Sequence, residues 1–186
     1  MEKVAYKLLR PVFFVGFMGA GKTTLTRRMA RNLGLTSVDI DRCIEREQGC
    51  TIKELFSRVS EPEFREMEAR MLEHFASLEP SFISCGGGLV EGERSREILR
   101  TKGFCVHMYV SADESASRIS NHATRPFFET MESVRAVNAR RAPLYDEVAD
   151  RRVDTTGQNP YSMEARVLAV LLEEGVLVRL DEDKEP

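Results

Sequence analysis

One short stretch, Gly16-Phe17-Met18-Gly19-Ala20-Gly21-Lys22-Thr23-Thr24, constrains the fold of this 186-residue chain more than any other. It matches the pattern G-x-x-x-x-G-K-[ST], follows the apolar run Val12–Val15 and opens a helical pattern. In that setting the backbone N–H groups of the loop point at phosphate oxygens, and the dipole of the following helix favours the same anion. The alternative, a glycine-rich turn with an exposed lysine, does not account for both flanking elements. The stretch therefore predicts the phosphate-binding loop (P-loop) of a kinase or another NTPase.

Composition and charge are those of an ordinary globular protein. The chain is 42% hydrophobic and 31% charged, with a net charge of −3, so we expect one α/β domain over residues 1–186 and neither a nucleic-acid nor a membrane partner. No apolar run approaches transmembrane length, and the first ten residues carry charges where a signal peptide has an apolar core. The four cysteines lack C-x-x-C and zinc spacing, which favours reduced thiols in a cytoplasmic protein.

Apolar runs alternate with helical patterns along the chain, which favours a parallel, doubly wound α/β sheet. The predicted strands cover residues 12–15, 35–40, 81–85, 104–110 and 152–155. Helical patterns fill residues 42–78, where we expect a substrate-holding flap, and return near residues 132–139. Residues 120–131 lack apolar periodicity and contain an Arg-Pro pair, which favours a mobile lid. We expect residues 1–11 to be a short extension and residues 181–186 a frayed acidic tail.

The carboxyl end of the second predicted strand carries two aspartates, Asp39 and Asp41. Strand periodicity places both side chains on one side of the sheet, beside the P-loop. There Asp39 would support, through water, a magnesium ion coordinated by the Thr23 hydroxyl, while Lys22 would reach the β- and γ-phosphates. Asp41 could accept a hydrogen bond from the attacking hydroxyl group and help to deprotonate it. Arg125, in the predicted lid, is the candidate for a positive charge over the transferred phosphate.

The third predicted strand runs into three glycines, Gly86, Gly87 and Gly88. Glycines at this place let backbone N–H groups approach a bound molecule closely, and a simple loop hinge is the alternative. The sequence contains no Asn-Lys-x-Asp motif, which reads guanine. We therefore expect ATP, and not GTP, as the phosphate donor.

Six features together resemble the shikimate kinase family in their order and spacing. They are the loop Gly16–Thr24, the pair Asp39-x-Asp41, Phe64-Arg65, Gly86-Gly87-Gly88, Arg125-Pro126 and Arg141-Ala142-Pro143-Leu144-Tyr145. The resemblance spans roughly residues 12 to 160, the size of a single α/β unit. It implies a monomeric kinase of the nucleoside-monophosphate-kinase type, with three α/β/α layers around a five-stranded parallel sheet, a substrate-binding helical flap and a lid. It also implies transfer of a phosphoryl group from MgATP to the 3-hydroxyl of shikimate, a step toward chorismate and the aromatic amino acids.

The motifs and the resemblance together predict a site with four groups of residues. The catalytic group is Lys22, Asp41 and Arg125. The ATP-binding group is Gly19, Ala20, Gly21, Lys22, Thr23, Thr24, Arg118 and Arg125. The acceptor-binding group is Asp41, Arg65, Gly86, Gly87, Gly88 and Arg141, and the Mg²⁺-binding group is Thr23 and Asp39. By the resemblance, Arg118 would stack on adenine, and Arg65 and Arg141 would hold the carboxylate of shikimate, to which a planar guanidinium is well suited.

Several of these assignments have a simpler alternative. Arg65 and Glu68 could form a solvated ion pair on a helix surface, although Glu68 could equally orient Arg65 for binding. Arg118 could be an exposed helix arginine, and Arg140, next to Arg141, is expected to be surface charge. For the whole protein, the alternatives are a related kinase for another hydroxylated carboxylate, such as a gluconate-like acid, and a non-catalytic ATP-binding regulatory protein.

Overall fold

The computed structural model describes residues 4–118 and 130–180, in which strands and helices alternate. The strands are β1 (Ala5–Leu8), β2 (Val12–Val15), β3 (Ser37–Asp39), β4 (Phe82–Ser84), β5 (Phe104–Tyr109), β6 (Arg151–Asp154) and β7 (Leu177–Leu180). The helices are α1 (Lys22–Leu33), α2 (Ile40–Gln48), α3 (Ile52–Phe56), α4 (Glu61–Ala76), α5 (Glu93–Thr101), α6 (Ala112–Arg118), α7 (Met131–Val148) and α8 (Pro160–Glu173), with a short 3-10 turn at Leu89–Glu91. None of these helices is long and apolar enough to cross a membrane.

Five strands form a parallel sheet in the order β3-β4-β2-β5-β6. Strand β2 lies at its centre, with Val12 opposite Phe82 of β4 and opposite Phe104 of β5. All four residues of β2 are buried, as expected for a strand covered by helices on both faces. The predicted parallel α/β sheet is confirmed. Because the strands are parallel, their carboxyl ends meet at one edge, where open α/β sheets bind ligands.

Helix α1 begins directly behind the P-loop and continues across the sheet. Its N-cap, Gly21, has φ 88°, a conformation that residues with a Cβ atom rarely adopt. Its C-cap, Gly34, ends the helix as predicted, and the Gly34 N–H group donates to the carbonyl oxygen of Ala30. Helices α1 and α8 pack together against one face of the sheet, and α5 and α7 cover the other. The N-terminus of α1 therefore points at the binding edge of the sheet.

The beginning of the chain does not form the short extension that the sequence predicts. Strand β1 pairs antiparallel with β7, with Ala5 opposite Leu180 and Leu8 opposite Leu177. Leu8 and Leu177 are buried, so this two-stranded sheet is part of the packed structure. The prediction is wrong for residues 5–8 because the partner strand lies at the other end of the chain, where no local pattern reveals it.

Helix α7 runs well past its predicted end at residue 139, and it contains Pro143. A proline inside a helix removes one backbone hydrogen bond and usually interrupts the helix. Here Tyr145 and Val148 are buried and hold the last turns of α7 in place. As a result, Arg141 and Tyr145 lie one helical turn apart on the same face of α7.

Candidate active site

The P-loop is packed against the sheet and closes around its own lysine. Lys22 Nζ donates to the carbonyl oxygens of Gly16 at 2.7 Å and Phe17 at 2.9 Å, and the lysine is buried. A Cβ atom on Gly16 would lie 2.2 Å from the carbonyl oxygen of Met108 in strand β5, so only glycine fits at this position. The loop therefore holds a positive charge in place for phosphate oxygens before any nucleotide binds.

Thr23 and Asp39 meet at the start of helix α1. Thr23 Oγ1 donates to Asp39 Oδ2 at 2.7 Å and lies 3.2 Å from Ser84 Oγ, a hydroxyl that no motif in the sequence marks. Hydroxyl and carboxylate oxygens are ligands that Mg²⁺ accepts when phosphates and water complete its shell. The described part of the chain contains no group of three or more His, Cys, Asp or Glu residues that could hold a metal ion alone. The pair thus fits an ion that arrives with a nucleotide.

Asp41 reaches the site from a helix and not from a strand. Strand β3 ends at Asp39, whose side chain caps helix α2, and Asp41 lies in the first turn of that helix. The prediction from strand periodicity is therefore wrong about the backbone. The Asp41 side chain nevertheless lines the same cleft, of about 450 Å³, as Lys22 and Thr23. A Cβ atom on Gly86 would lie 2.4 Å from Asp41 Oδ1, so the missing side chain of Gly86 makes room for this carboxylate.

The cleft brings together most of the residues that the sequence predicts for the two substrates. Predicted residues in its lining are Gly19, Gly21, Lys22, Thr23, Thr24, Asp39, Asp41, Gly86, Gly87 and Arg118. Residues that were not predicted are Met18, Ser84, Cys85, Gln158, Pro160 and Met163. Ala20 is buried and does not line the cleft. The last three unpredicted residues come from the start of α8 and the loop before it, which carries no motif.

Arg118 is held against the P-loop. Its Nη1 atom donates to the carbonyl oxygen of Gly19 at 3.1 Å and its Nη2 atom to that of Thr155 at 2.7 Å. It also forms an ion pair with Glu114, one helical turn earlier. The alternative of an exposed helix arginine is therefore wrong, because the guanidinium group is fixed at the border of the cleft.

Arg65 and Arg141 come together beside Gly88, next to the cleft. A Cβ atom on Gly88 would lie 2.7 Å from Arg65 Nη1 and 3.1 Å from Arg141 Nη2. Arg65 Nη1 donates to Glu68 Oε2 at 2.7 Å, and Glu68 is only 1% exposed, so the alternative of a solvated surface pair is wrong. Burial raises the pKa of Glu68 to about 7, although the charge of Arg65 opposes this shift.

A glutamate that no sequence motif marks, Glu91, joins the two arginines. Its Oε2 atom accepts hydrogen bonds from Arg65 Nη2 at 2.7 Å and from Arg141 Nη2 at 2.8 Å, and its Oε1 atom accepts one from Arg140 at 2.5 Å. Arg140 is exposed, as expected for surface charge, but it is part of this cluster. Burial by itself raises the pKa of Glu91, but Arg141 and the other two arginines outweigh burial, and the pKa is lowered overall.

Tyr145 connects helix α7 to the glycines. Its hydroxyl group donates to the carbonyl oxygen of Gly87 at 2.5 Å, and burial raises its pKa, so that it stays a proton donor. The ring of Tyr145 lies 5.1 Å from that of His107, whose Nδ1 atom is 2.8 Å from Asp146 Oδ1. Tyr145 belongs to a motif of the sequence, but the motif does not reveal its hydrogen bond to Gly87, which lies in a distant segment of the chain.

Part of the predicted site falls on residues 119–129, which are outside the described ranges. These include Arg125 and most of the predicted lid. The acidic tail at residues 181–186 also lies outside them. The role of Arg125 therefore stays a prediction.

A P-loop at the carboxyl edge of a five-stranded parallel sheet, with a hydroxyl–carboxylate pair and an acidic group in the same cleft, defines a P-loop kinase. A family model described as Shikimate kinase matches residues 18–173. The chain belongs to the shikimate kinase family. Shikimate kinase of Xanthomonas euvesicatoria pv. vesicatoria is 34% identical over 157 residues, covering 83% of this chain and 87% of that protein. The Pseudomonas entomophila enzyme is 36% identical over 155 residues, covering 82% and 90%.

Solved structures agree with this assignment. The shikimate kinase from Acinetobacter baumannii in complex with shikimate matches with a TM-score of 0.84 at 31% identity, covering 89% of this chain and 94% of that one. A gluconokinase from Sinorhizobium meliloti 1021 matches with a TM-score of 0.55 at 18% identity and covers 90% and 94%. The second match shows only a shared fold.

Proposed function

We propose that this chain transfers the γ-phosphoryl group of MgATP to the 3-hydroxyl of shikimate, forming shikimate 3-phosphate and ADP on the route to chorismate and the aromatic amino acids. The observation that carries the proposal is the convergence of Asp41, Arg65 and Arg141 around Gly86–Gly88, beside the P-loop. A carboxylate is suited to accept a hydrogen bond from a hydroxyl group, and two arginines are suited to bind a carboxylate. Together they indicate an acceptor that is a hydroxylated carboxylic acid. Membership of the family and the shikimate complex of the A. baumannii protein support this acceptor.

On the donor side, the residues from Gly19 to Thr24 would bind the phosphates of ATP, with Lys22 neutralising the β- and γ-phosphates. Arg118, fixed against the loop, would lie along the adenine ring. Thr23 and Asp39 would hold Mg²⁺, which neutralises phosphate charge when it is bound. Because Lys22 and Thr23 are already fixed by hydrogen bonds, little reorganisation is needed when the nucleotide enters.

On the acceptor side, Arg65 and Arg141 would bind the carboxylate of shikimate, and Asp41 would accept the proton of its 3-hydroxyl group. Fixing the acceptor at both ends aligns the attacking oxygen with the phosphorus atom, and alignment is the main contribution of a protein to phosphoryl transfer. Glu68 holds Arg65 in position at 2.7 Å. Arg125 would add a positive charge over the transferred group.

The proposal includes the organisation of the enzyme. Residues 1–186 would form one domain, in which the helices of residues 42–78 act as an acceptor flap and residues 120–131 as a lid over ATP. The enzyme would be a cytoplasmic monomer with ATP and shikimate as its small-molecule partners. The four free cysteines of the structure are compatible with a reducing compartment.

An ADP-release assay with MgATP and a panel of acceptors tests the proposed reaction. The panel contains shikimate, quinate, gluconate and nucleoside monophosphates. We expect turnover with shikimate and little or none with the others. Turnover with gluconate but not with shikimate would favour the related-kinase alternative, and no turnover at all, with ATP binding retained, would favour the regulatory one.

Two variants test the residue roles. Asp41→Asn should abolish turnover while ATP still binds, whereas Asp113→Asn, an exposed aspartate, should not change turnover. Arg65→Ala should weaken shikimate binding by about 2 kcal/mol or more, since the carboxylate of shikimate then loses one of the two guanidinium groups proposed to bind it. Arg70→Ala serves as the control, because Arg70 lies on the same helix and is 60% exposed. Equal effects of the two arginine variants on shikimate binding would show that Arg65 does not bind the acceptor.

A further inference from the structure

The carboxylate of Glu91 lies on the two arginines that we assign to the acceptor. Its Oε2 atom accepts one hydrogen bond from Arg65 and one from Arg141. A carboxylate of the protein is therefore present where the carboxylate of the acceptor would have to bind. The two groups have the same charge and the same hydrogen-bonding chemistry, so they compete for the same donors.

The backbone of Glu91 is firmly fixed, and its side chain is the part that can move. Glu91 ends the 3-10 turn that follows the three glycines, and its N–H group donates to the carbonyl oxygen of Gly88 at 2.9 Å. Leu89 and Val90, in the same turn, are fully buried and anchor it. The side chain of Glu91 lies at the border of the cluster, where its second oxygen contacts Arg140, which is 64% exposed. A place outside the cluster is thus within reach of this carboxylate.

The contacts of Glu91 are of a kind that an incoming carboxylate can replace. Arg65 and Arg141 each offer it one nitrogen, whereas a guanidinium group binds a carboxylate most firmly through two parallel hydrogen bonds. Arg65 is held independently by Glu68 and Glu61, so it keeps its position when Glu91 leaves. Arg65 can therefore bind either carboxylate without moving.

We propose that Glu91 is a built-in competitor of the acceptor: it occupies Arg65 and Arg141 in the empty site and is displaced toward Arg140 when the carboxylate of the acceptor binds. This inference rests on the proposed function. The apparent affinity for shikimate is then reduced by the fraction of molecules in which Glu91 occupies the arginines. The rate of phosphoryl transfer is unaffected once the acceptor is bound, because Glu91 has then left the arginines.

The variant Glu91→Gln tests this proposal, because it keeps the size of the side chain and removes its charge. We expect the KM for shikimate to fall by about tenfold, as for a site that is open in about a tenth of the molecules, with kcat and the KM for MgATP within about twofold of the wild-type values. The KM for an acceptor analogue that lacks the carboxyl group altogether should change by less than about twofold, since such an analogue leaves Glu91 on the two arginines. Glu93→Gln, two residues further on and exposed, is the matched control and should change none of these values.

Three results would overturn the proposal. An unchanged KM for shikimate would show that Glu91 does not compete, and a raised one would show that it positions the arginines. An equal fall for shikimate and for the analogue without a carboxyl group would show that Glu91 does not act where the carboxylate binds. If thermal melting shows that Glu91→Gln does not fold, Glu91→Asp, whose side chain is one methylene shorter, is tested with the same two acceptors. Absence of turnover of shikimate by the wild-type enzyme would instead refute the proposed function.

Discussion

The buried Glu68 makes the stability of this protein depend on pH in a direction that can be calculated. Burial is the largest influence on its carboxyl group; Arg65 opposes burial, and Asp41 adds to it, so the pKa rises from 4.5 to about 7. The folded state therefore binds a proton on Glu68 more tightly than the unfolded state does. The resulting stabilisation is fully present below the unfolded pKa of 4.5 and is lost as the pH rises through about 7. At about 1.4 kcal/mol for each pH unit of the shift, the loss amounts to about 3 kcal/mol.

The variant Glu68→Gln removes this titration while keeping the shape of the side chain. Urea unfolding of both proteins from about pH 4.5 to about pH 8 gives the difference between their free energies of unfolding at each pH. We expect this difference to shift by about 3 kcal/mol in favour of the variant as the pH rises. Glu66→Gln, an exposed glutamate on the same helix, should show no such shift. A difference for Glu68→Gln that stays constant within about 0.5 kcal/mol would refute the reasoning, because Arg65 would then keep Glu68 ionised throughout.

Two further predictions concern the glycines of the acceptor side. Gly86→Ala would place a methyl group 2.4 Å from Asp41 Oδ1 and displace this carboxylate, so we expect kcat to fall by about 100-fold in steady-state assays. A wild-type kcat for this variant would show that turnover does not depend on the exact position of the Asp41 carboxylate. Tyr145→Phe removes the hydrogen bond to the carbonyl oxygen of Gly87 and should lower the free energy of urea unfolding by about 1 to 3 kcal/mol. A loss below about 0.5 kcal/mol would mean that water replaces the hydroxyl group.

The parts of the site that the sequence predicts well are those specified within a few consecutive residues. The P-loop is one of these parts, because the glycines that determine its backbone conformation and the lysine and threonine that it presents lie within the same nine residues. Strand periodicity predicts that Asp39 and Asp41 lie beside the P-loop, and both line the cleft, but only Asp39 belongs to the strand. The helix begins immediately after Asp39, and strand periodicity does not extend beyond that point.

The parts that the sequence does not predict depend on contacts between distant segments. Glu91 becomes part of the site only because α4 and α7 bring Arg65 and Arg141 to the same place. The hydrogen bond from Tyr145 to Gly87 likewise requires α7 to continue past its proline. Such contacts produce no periodicity or spacing in the sequence. Local patterns indicate which side chains are buried, but only the three-dimensional fold determines which of them meet.

The pairing of β1 with β7 has a mechanical consequence. Ala5 lies opposite Leu180, so a force that pulls the two ends of the chain apart acts across this ladder and not along it. The hydrogen bonds of this ladder run perpendicular to the strands, so they would bear the force one at a time and break in sequence from the ends of the chain. Under tension we expect this two-stranded sheet to open first, before the five-stranded sheet that carries the catalytic cleft yields.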